Sequence, residues 1–348
     1  MLPKKTKGLF VEVNGFSYLV AAATGLTPPF SIEAIAEFPR GEPEKLKEYL
    51  DQAGSGRRAR YIFSHCGIIP ESRFFRLHTL ESMAKARDAE YFNNILEQQF
   101  RINPKSSRYS VVSVQNGRAF DTERSIGSQK ELLLCGADAR EFNAFQDNLV
   151  ECGVYPQSLQ LGTLSSLAGL KHYLRSKEIE DPVLHLEVTQ NSANLFILSK
   201  DKVDLCRPVN FGFNAVLPVI RQELGLKDEE SARNLFFSDT FDFREIGPKL
   251  LARILKELNA STGFYEVQTG QTIPHLYMTS LPENLGWIPE VIAREMDIKL
   301  LDIDWEGWAE KIGVSFGDAC SPADLGPPAF GLFSLFINFE AQKDGRPE

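Results

Sequence analysis

The sequence predicts an α/β protein of two similar halves, with a smaller segment inserted into the first half. An apolar run at 8–13 leads through Asn14-Gly15 into a second apolar run at 16–23. An Asn-Gly pair between two β-prone runs is the strongest short-range signal of a hairpin. A second strand followed by a hairpin begins at 183–188, and strands alternate with amphipathic helices after both openings.

The first half contains strand and helix signals in a clear order. The predicted elements are strands at 8–13, 16–23 and 31–38, a helix at 43–53, a strand at 60–63, a helix near 89–101, strands at 109–114 and 131–135, and helices at 138–152 and about 163–175. Pro43 and Gly54 are typical boundary residues of the first helix. Asp138 and Glu141 have the spacing of a capping box. The less regular stretch at about 72–131, with a polar loop at 116–129, is predicted to be an inserted subdomain.

The second half restarts with the same motif as the first. Residues 9–14 (LFVEVN) and 184–189 (LHLEVT) are both apolar strands that reach a Glu-Val-polar tip. The predicted elements then are strands at 183–188, 194–199 and 203–207, helices near 214–224, 228–237 and 248–264, a strand at 275–279, a helix at 287–296 and a strand at 298–303.

This order describes the actin-like fold, in which two ribonuclease H-like βββαβα halves are duplicated and a small α+β subdomain is inserted. The predicted first lobe is 1–178, with the inserted subdomain at about 72–131. The predicted second lobe is 179–348, with a smaller subdomain at about 211–273.

Composition excludes several functional classes. The net charge of −9 argues against a nucleic-acid partner, because neutralising phosphates requires a basic surface. No stretch reaches the roughly 20 apolar residues of a membrane-spanning helix. The five histidines lack metal-ligand spacing, and the five cysteines form no CxxC pair. We therefore expect reduced, buried thiols, no metal site, and membrane association only through a partner.

Several stretches resemble the PilM family, the actin-like, FtsA-related cytoplasmic proteins of type IV pilus assembly. Residues 203–212, 224–226 and 229–232 are similar to the family's second lobe. Further similar stretches are 60–69, 89–101 and 131–158 for the inserted subdomain and the return to the first lobe, 277–303 for the region that closes the nucleotide site, and 329–332 for the terminal Gly-Leu strand. The apolar tail at 331–341 is accordingly expected to be the last core strand.

The sequence departs from the family where a nucleotide would bind. The family has an Asp-x-Gly at each hairpin, an Ala-Glu-x-x-Lys on a helix, and a Gly-Gly after the last core strand. The matching positions here are Glu12, Val13, Asn14, Glu187, Val188, Thr189, Arg233, Phe236, Ser280 and Leu281. Both hairpin glycines are replaced, so a side chain occupies space that a phosphate needs. We expect a degenerate nucleotide site with no catalytic residue, no metal and no cofactor.

The resemblance implies a function in protein binding. PilM-like proteins capture the cytoplasmic N-terminal tail of PilN, a bitopic inner-membrane protein, as an extended peptide between the first lobe and the inserted subdomain. This chain would be a cytoplasmic adaptor, peripheral to the inner membrane through a PilN-like partner, with self-association as a further option. Candidate groove residues are Phe74, Phe75, Tyr91, Phe92 and Phe100, although such aromatic side chains more often belong to a core.

Alternative functions remain open at this point. The first is an active actin-like ATPase of the same system, in which Glu12 and Glu187 still bind Mg²⁺ and ATP. The second is a component similar to the cytoplasmic domain of a type II secretion platform protein. A sugar or acetate kinase is disfavoured, because phosphoryl transfer needs intact phosphate loops. The plain interpretation of Glu12 and Glu187 is that they are structural carboxylates at strand ends.

Overall fold

The computed structural model describes residues 6–54, 62–88, 90–115, 117–120 and 130–337. The chain forms two compact units. Unit 1 comprises Met1–Leu170, Trp305–Asp324 and Gly331–Glu348, and unit 2 comprises Lys171–Asp304 and Leu325–Phe330. The predicted boundary between the two lobes was 178, whereas unit 1 first ends at Leu170. Unit 1 also includes later segments, and one of them, Val314–Phe316, pairs with residues 30–32 of the first sheet. No helix among the described residues is long and apolar enough to cross a membrane.

The strands are numbered in chain order. They are β1 Gly8–Val13, β2 Ser17–Ala23, β3 Phe30–Pro39, β4 Ile62–Ile68, β5 Phe74–Thr79, β6 Ser107–Ser113, β7 Glu131–Asp138, β8 Val154–Leu161, β9 Val183–Val188, β10 Ala193–Leu198, β11 Val203–Val209, β12 His275–Thr279, β13 Lys299–Leu300 and β14 Val314–Phe316.

The α-helices are numbered in the same way. They are α1 Pro43–Gly54, α2 Met83–Ala86, α3 Tyr91–Asn94, α4 Ala139–Glu151, α5 Gly162–Ser176, α6 Leu217–Glu223, α7 Glu229–Phe236, α8 Gly247–Leu250, α9 Ala252–Thr269, α10 Trp287–Met296, α11 Trp305–Ile312 and α12 Phe330–Ser334. A π-helix at Ile95–Gln99 continues α3, and short 3₁₀ turns precede β6, α6, α10 and α12.

The main sheet of unit 1 has the order β14-β3-β2-β1-β4-β8. Strand β1 is antiparallel to β2, with Val11 opposite Val20, and parallel to β4, with Val11 opposite Cys66. One face of the sheet buries its apolar side chains against α1, which contributes Leu46, and against α4, which contributes Leu149. The opposite face of β1 carries Phe10 and Glu12, since side chains alternate along a strand.

The inserted subdomain of unit 1 is a three-stranded antiparallel sheet of order β5-β7-β6. The helical segment 91–99 covers one of its faces, where Phe74 and Leu134 pack with Ile95 and Leu96. The subdomain is entered after β4 and left at Asp138, so the insertion extends past the predicted end at 131.

The sheet of unit 2 repeats the first one with the order β11-β10-β9-β12-β13. Strand β9 is antiparallel to β10 and parallel to β12. The sequence therefore correctly indicated that β1 and β9 are equivalent central strands, each followed by a hairpin.

The C-terminal region is the main correction to the predicted elements. The strand expected at 329–332 is the start of α12, and its continuation beyond 337 lies outside the described residues. Phe333 and Phe336 of unit 1 are both buried and lie three residues apart, a spacing that brings side chains to one side of a helical chain.

Four smaller corrections concern element bounds. The helix expected at 89–101 is α3 and the π-helix, and the helix expected from 248 to 264 is α8 and α9. The strand expected at 298–303 is only β13, while the strand expected at 60–63 is part of β4 and its first residues lie outside the described ones. Most of the loop at 116–129 also lies outside them. The sequence patterns did not indicate β5, α2, β8, α11 or β14.

Candidate functional site

The Glu12 carboxylate of the first hairpin is buried beneath α12. Glu12 is 0 % exposed, and Gly331 of α12 lies directly against it. A Cβ atom at Gly331 would overlap Glu12 Oε2 and lie 2.6 Å from Cδ. The carboxylate that would organise Mg²⁺ in a nucleotide site is therefore covered by the main chain of the C-terminal helix.

The turn after β1 uses its own main-chain donors. Asn14 Oδ1 accepts hydrogen bonds from the main-chain N–H groups of Phe16 and Ser17, each at 2.8 Å. A phosphate-binding hairpin offers such N–H groups to the ligand. Asn14 thus occupies, within its own turn, the donors that a phosphate would need.

The second hairpin is closed in a similar way. Thr189 Oγ1 accepts a hydrogen bond from Ser192 N at 3.2 Å. A Cβ atom at Gly212 would lie 2.5 Å from the carbonyl carbon of Asn191, so only glycine allows this close approach. Glu187 is 1 % exposed, and its Oε1 lies 3.9 Å from Nε2 of the buried His185.

Arg233 and Phe236, the two positions matched to the Glu and Lys of the family's Ala-Glu-x-x-Lys, make structural contacts within unit 2. Arg233 Nη2 donates to Asn214 Oδ1 at 2.8 Å, and Asn214 Nδ2 donates to Asn191 Oδ1 at 2.7 Å. This chain of bonds ties α7 to the second hairpin. Phe236 is fully buried and packs edge-on to Phe243 with ring centroids 5.7 Å apart.

The remaining nucleotide-site positions are also internal. Val13 and Val188 belong to the cores under their sheets, and Leu281 is buried. Ser280 is buried with a φ of 59°, a left-handed conformation that favours glycine. Ser280 therefore adopts a backbone conformation that glycine occupies more readily. The described residues contain no group of three or more His, Cys, Asp or Glu side chains placed to hold a metal ion.

None of the five cysteines forms a disulfide bond. Three are buried, and Cys206 and Cys320 are partly exposed. Burial raises the pKa of Cys66 and Cys135 to about 12, so neither is a reactive thiolate at neutral pH.

Unit 1 contains a groove between the inserted subdomain and the main sheet. It has a volume of about 190 Å³. Its lining residues come from β6, β7, α4, β8 and α5, and they are Arg108, Tyr109, Ser110, Cys135, Gly136, Ala137, Phe142, Leu159, Gln160, Leu161 and Leu164. Strand β6 ends the three-stranded sheet and β8 ends the six-stranded sheet. The groove therefore lies between two sheet edges.

The edge of β6 directs main-chain groups outward at the groove. Val111 O accepts from Phe120 N at 2.8 Å and Ser113 N donates to Arg118 O at 2.9 Å, so residues 111 and 113 bond away from β7. Because the pattern alternates along an antiparallel strand, Tyr109 directs its N–H and C=O the same way. Residues 118–120 therefore already pair with the outer edge of β6 at 111–113, and Tyr109 lies beyond that pairing.

One wall of the groove carries an oriented cation. Arg108 Nη2 donates to Asn143 Oδ1 at 2.8 Å, and its guanidinium carbon lies 5.5 Å from the centre of the Phe142 ring. Both contacts restrict the rotamers of the long side chain, so the positive charge is held beside the groove in a defined position.

None of the five predicted groove aromatics lines this groove. Phe75 is fully buried, and Phe74 packs in the subdomain core. Tyr91, Phe92 and Phe100 pack with Phe74 on the opposite sheet face from Ser110 and Cys135. The sequence signal that could have located the groove is the alternation along 107–113, which places Arg108 and Ser110 on one face.

In each of the two main sheets a central strand, β1 or β9, is antiparallel to the hairpin strand that follows it and parallel to a later strand, β4 or β12. These duplicated sheets define an actin-like α/β protein with an inserted subdomain. This confirms the fold class that the sequence predicted. A chain of the PilM–PilN type IV pilus biogenesis complex has the same fold, with a TM-score of 0.68 at 15 % identity over 95 % of this chain and 98 % of that chain.

Other solved structures are more distant. The ethanolamine utilization protein EutJ from Carboxydothermus hydrogenoformans gives a TM-score of 0.46 at 9 % identity over 94 % of this chain and 88 % of that chain. The cytoplasmic domain of EpsL, an inner-membrane component of the Vibrio cholerae type II secretion system, gives 0.41 at 12 % identity over 94 % and 93 %. Neither adds to the assignment. No protein-family profile and no curated protein sequence matches the chain.

Proposed function

We propose that this chain is a peptide-binding adaptor which captures a short extended segment of a membrane protein in the groove of unit 1. The observation that carries the proposal is the position of the groove between the edges of β6 and β8. Sheet edges supply main-chain hydrogen bonds to an added strand, while pockets for alternate side chains supply specificity.

The lining suits a peptide with apolar side chains, whose main chain can still form hydrogen bonds. Leu159, Leu161 and Leu164 form one wall, and Tyr109 offers main-chain groups on the other.

The host system is part of the same proposal. The fold is shared with a chain of the PilM–PilN complex, so we propose a type IV pilus-like assembly machine, with the cytoplasmic N-terminal tail of a PilN-like protein as the peptide. The chain would then be cytoplasmic and peripheral to the inner membrane through that partner.

We further propose that the chain works without nucleotide. The support comes from each unit separately: the carboxylate covered by Gly331, the turn donors occupied by Asn14, and the bond from Arg233 to Asn214. Magnesium and ATP do not fit these arrangements, and no catalytic step is assigned.

Fluorescence anisotropy tests the peptide proposal. The probe is a labelled synthetic peptide of the first twenty or so residues of the PilN-like protein from the same organism. The groove variant is Leu164→Glu, which puts a charge beside an apolar peptide and should weaken binding at least about tenfold. The control is Phe264→Glu on α9, which also replaces an apolar side chain by glutamate. That side chain is 55 % exposed and lies in unit 2, whereas the groove lies in unit 1. No binding by the wild type, or equal loss in both variants, would contradict the proposal.

Thermal unfolding with and without millimolar Mg-ATP tests the nucleotide proposal. A ligand at about 100 times its Kd would add roughly 2.7 kcal/mol to the free energy of unfolding. We expect no shift of the midpoint. A Mg²⁺-dependent rise of several degrees would favour an active actin-like ATPase instead.

A further inference from the structure

Two chain crossings connect the inserted subdomain to the rest of unit 1. The first runs from the end of β4 through 69–73 into β5. The second has no loop, because β7 ends at Asp138 and α4 begins at Ala139. Asp138 caps α4, since its Oδ1 accepts from Arg140 N at 2.8 Å and Glu141 N at 3.3 Å. The subdomain sheet therefore continues directly into the first turn of a helix of the main body.

Glu141 ties these two crossings together. Its Oε1 accepts from Glu71 N at 2.7 Å, and its Oε2 accepts from Ser72 N at 3.0 Å and from the Ser72 hydroxyl. The same hydroxyl accepts a hydrogen bond from Asp138 N at 3.0 Å. Hydrogen bonds to a charged acceptor are stronger than neutral ones. In a standard capping box this glutamate would turn back to its own N-cap residue, but here it reaches the other crossing.

The residues that follow Glu141 form a wall of the groove. Phe142 lines the groove, and Asn143 holds Arg108 of β6. The first turn of α4 thus joins three features: the N-cap at Asp138, the bonds from Glu141 to the first crossing, and the groove wall. A rotation of the subdomain about its crossings would change the distance between β6 and β8.

We propose that Glu141 is a positioning residue that fixes the subdomain about its two crossings and so sets the width of the peptide groove. Its carboxylate does not contact the groove itself. It acts through the crossing at Ser72 and through the helix turn that carries Phe142. The inference rests on the proposed function insofar as the groove is a binding site, but the claim about groove width can be measured without a peptide.

Spin labels across the groove measure its width directly. Labels are placed at Ser110 on β6 and Gln160 on β8, both exposed, after Cys206 and Cys320 are replaced by serine. We expect Glu141→Gln to broaden the distance distribution and move it to longer distances. Glu151→Gln, the same change in an exposed residue at the end of α4, should leave the distribution unchanged. Ser72→Ala should broaden the distance distribution less than Glu141→Gln does. If Glu141→Gln does not fold, Ser72→Ala replaces it in the measurement.

Anisotropy with the labelled PilN-like peptide gives the second measurement. Glu141→Gln should weaken binding by roughly threefold to tenfold, with Glu151→Gln at the wild-type value. If the distance distribution stays unchanged in both Glu141→Gln and Ser72→Ala, the positioning role is refuted. If the distribution broadens but even the wild type binds no peptide, the proposed function fails while the positioning role stands.

Discussion

Replacing Gly331 by alanine should destabilise the protein, although glycine-to-alanine changes in helices usually stabilise it. Gly331 is the second residue of α12, and a Cβ atom there would overlap the carboxylate of Glu12. Glu12 is fully buried, so its side chain cannot move into solvent to relieve the overlap.

The magnitude follows from two opposing terms. Overpacking a buried site costs about 1–3 kcal/mol, while alanine in place of glycine in a helix contributes about 0.5–1 kcal/mol of stability. We expect a net loss of about 1–2 kcal/mol in the free energy of unfolding. At about 2–4 °C per kcal/mol for a unit of this size, the midpoint should fall by several degrees.

The assay is urea unfolding followed by circular dichroism, with a matched glycine as the control. Gly263 lies within α9, and a Cβ atom there would meet no atom within 4 Å. Gly263→Ala should therefore raise stability by about 0.5–1 kcal/mol. The double variant Glu12→Ala/Gly331→Ala should be more stable than the sum of its single changes by about 1–2 kcal/mol, because the new methyl group then fills the space left by the carboxylate.

The reasoning is refuted if Gly331→Ala is as stable as the wild type, or if both glycine variants gain stability equally. Additive effects in the double variant would lead to the same conclusion. In any of these cases Glu12 is not packed against α12, and the argument that this carboxylate is closed to a cation would lose its basis.

Three further predictions concern a helix end, a buried lysine and the cysteines. Asp297→Gly should stabilise the protein by about 1 kcal/mol and Asp297→Asn by little, because this exposed residue ends α10 with a φ of 54°; thermal unfolding measures both. Burial lowers the pKa of Lys171 to about 7, so above pH 7 the folded chain binds fewer protons than the unfolded chain. The free energy of unfolding should therefore rise between pH 7 and 8.5, by up to about 1.4 kcal/mol per pH unit, and Lys171→Met should remove that contribution in urea titrations. A colorimetric thiol reagent should react with Cys206 and Cys320 in the native protein and with the three buried thiols only after unfolding; equal reactivity of all five would contradict the burial.

The duplicated fold could be predicted because its signals are local. Asn14-Gly15 marks the first hairpin, and Asp138 marks the start of α4. Each signal reports on a few adjacent residues whose main-chain geometry the sequence restricts directly. The repetition of a strand and hairpin at 183 then indicated the second sheet.

The C-terminal helix could not be distinguished from a strand by apolarity. A continuous apolar run is consistent with a buried strand or a buried helix. The interval of three between Phe330, Phe333 and Phe336 favours a helix, but the resemblance to a terminal strand suggested otherwise. The contact of Gly331 with Glu12, 319 positions earlier in the chain, follows only from the tertiary structure.

The groove could not be predicted from the sequence, for a similar reason. Arg108 lies on β6, whereas Gln160 and Leu164 lie on the consecutive elements β8 and α5, which are distant from β6 in the chain. Nothing in their types distinguishes them from ordinary surface residues. Aromatic residues such as Tyr91 attracted attention because they are large, and large apolar side chains are most often used in cores.

Amide hydrogen exchange of the wild type, with and without a saturating amount of the PilN-like peptide, tests the central claim most directly. The account predicts that protection increases in 107–110 and 159–164, the segments of β6, β8 and α5 that border the groove. Mg-ATP should protect neither hairpin tip, at 14–17 or at 189–192. Protection of both hairpin tips by Mg-ATP, or no peptide-dependent protection along β6 and β8, would contradict the account.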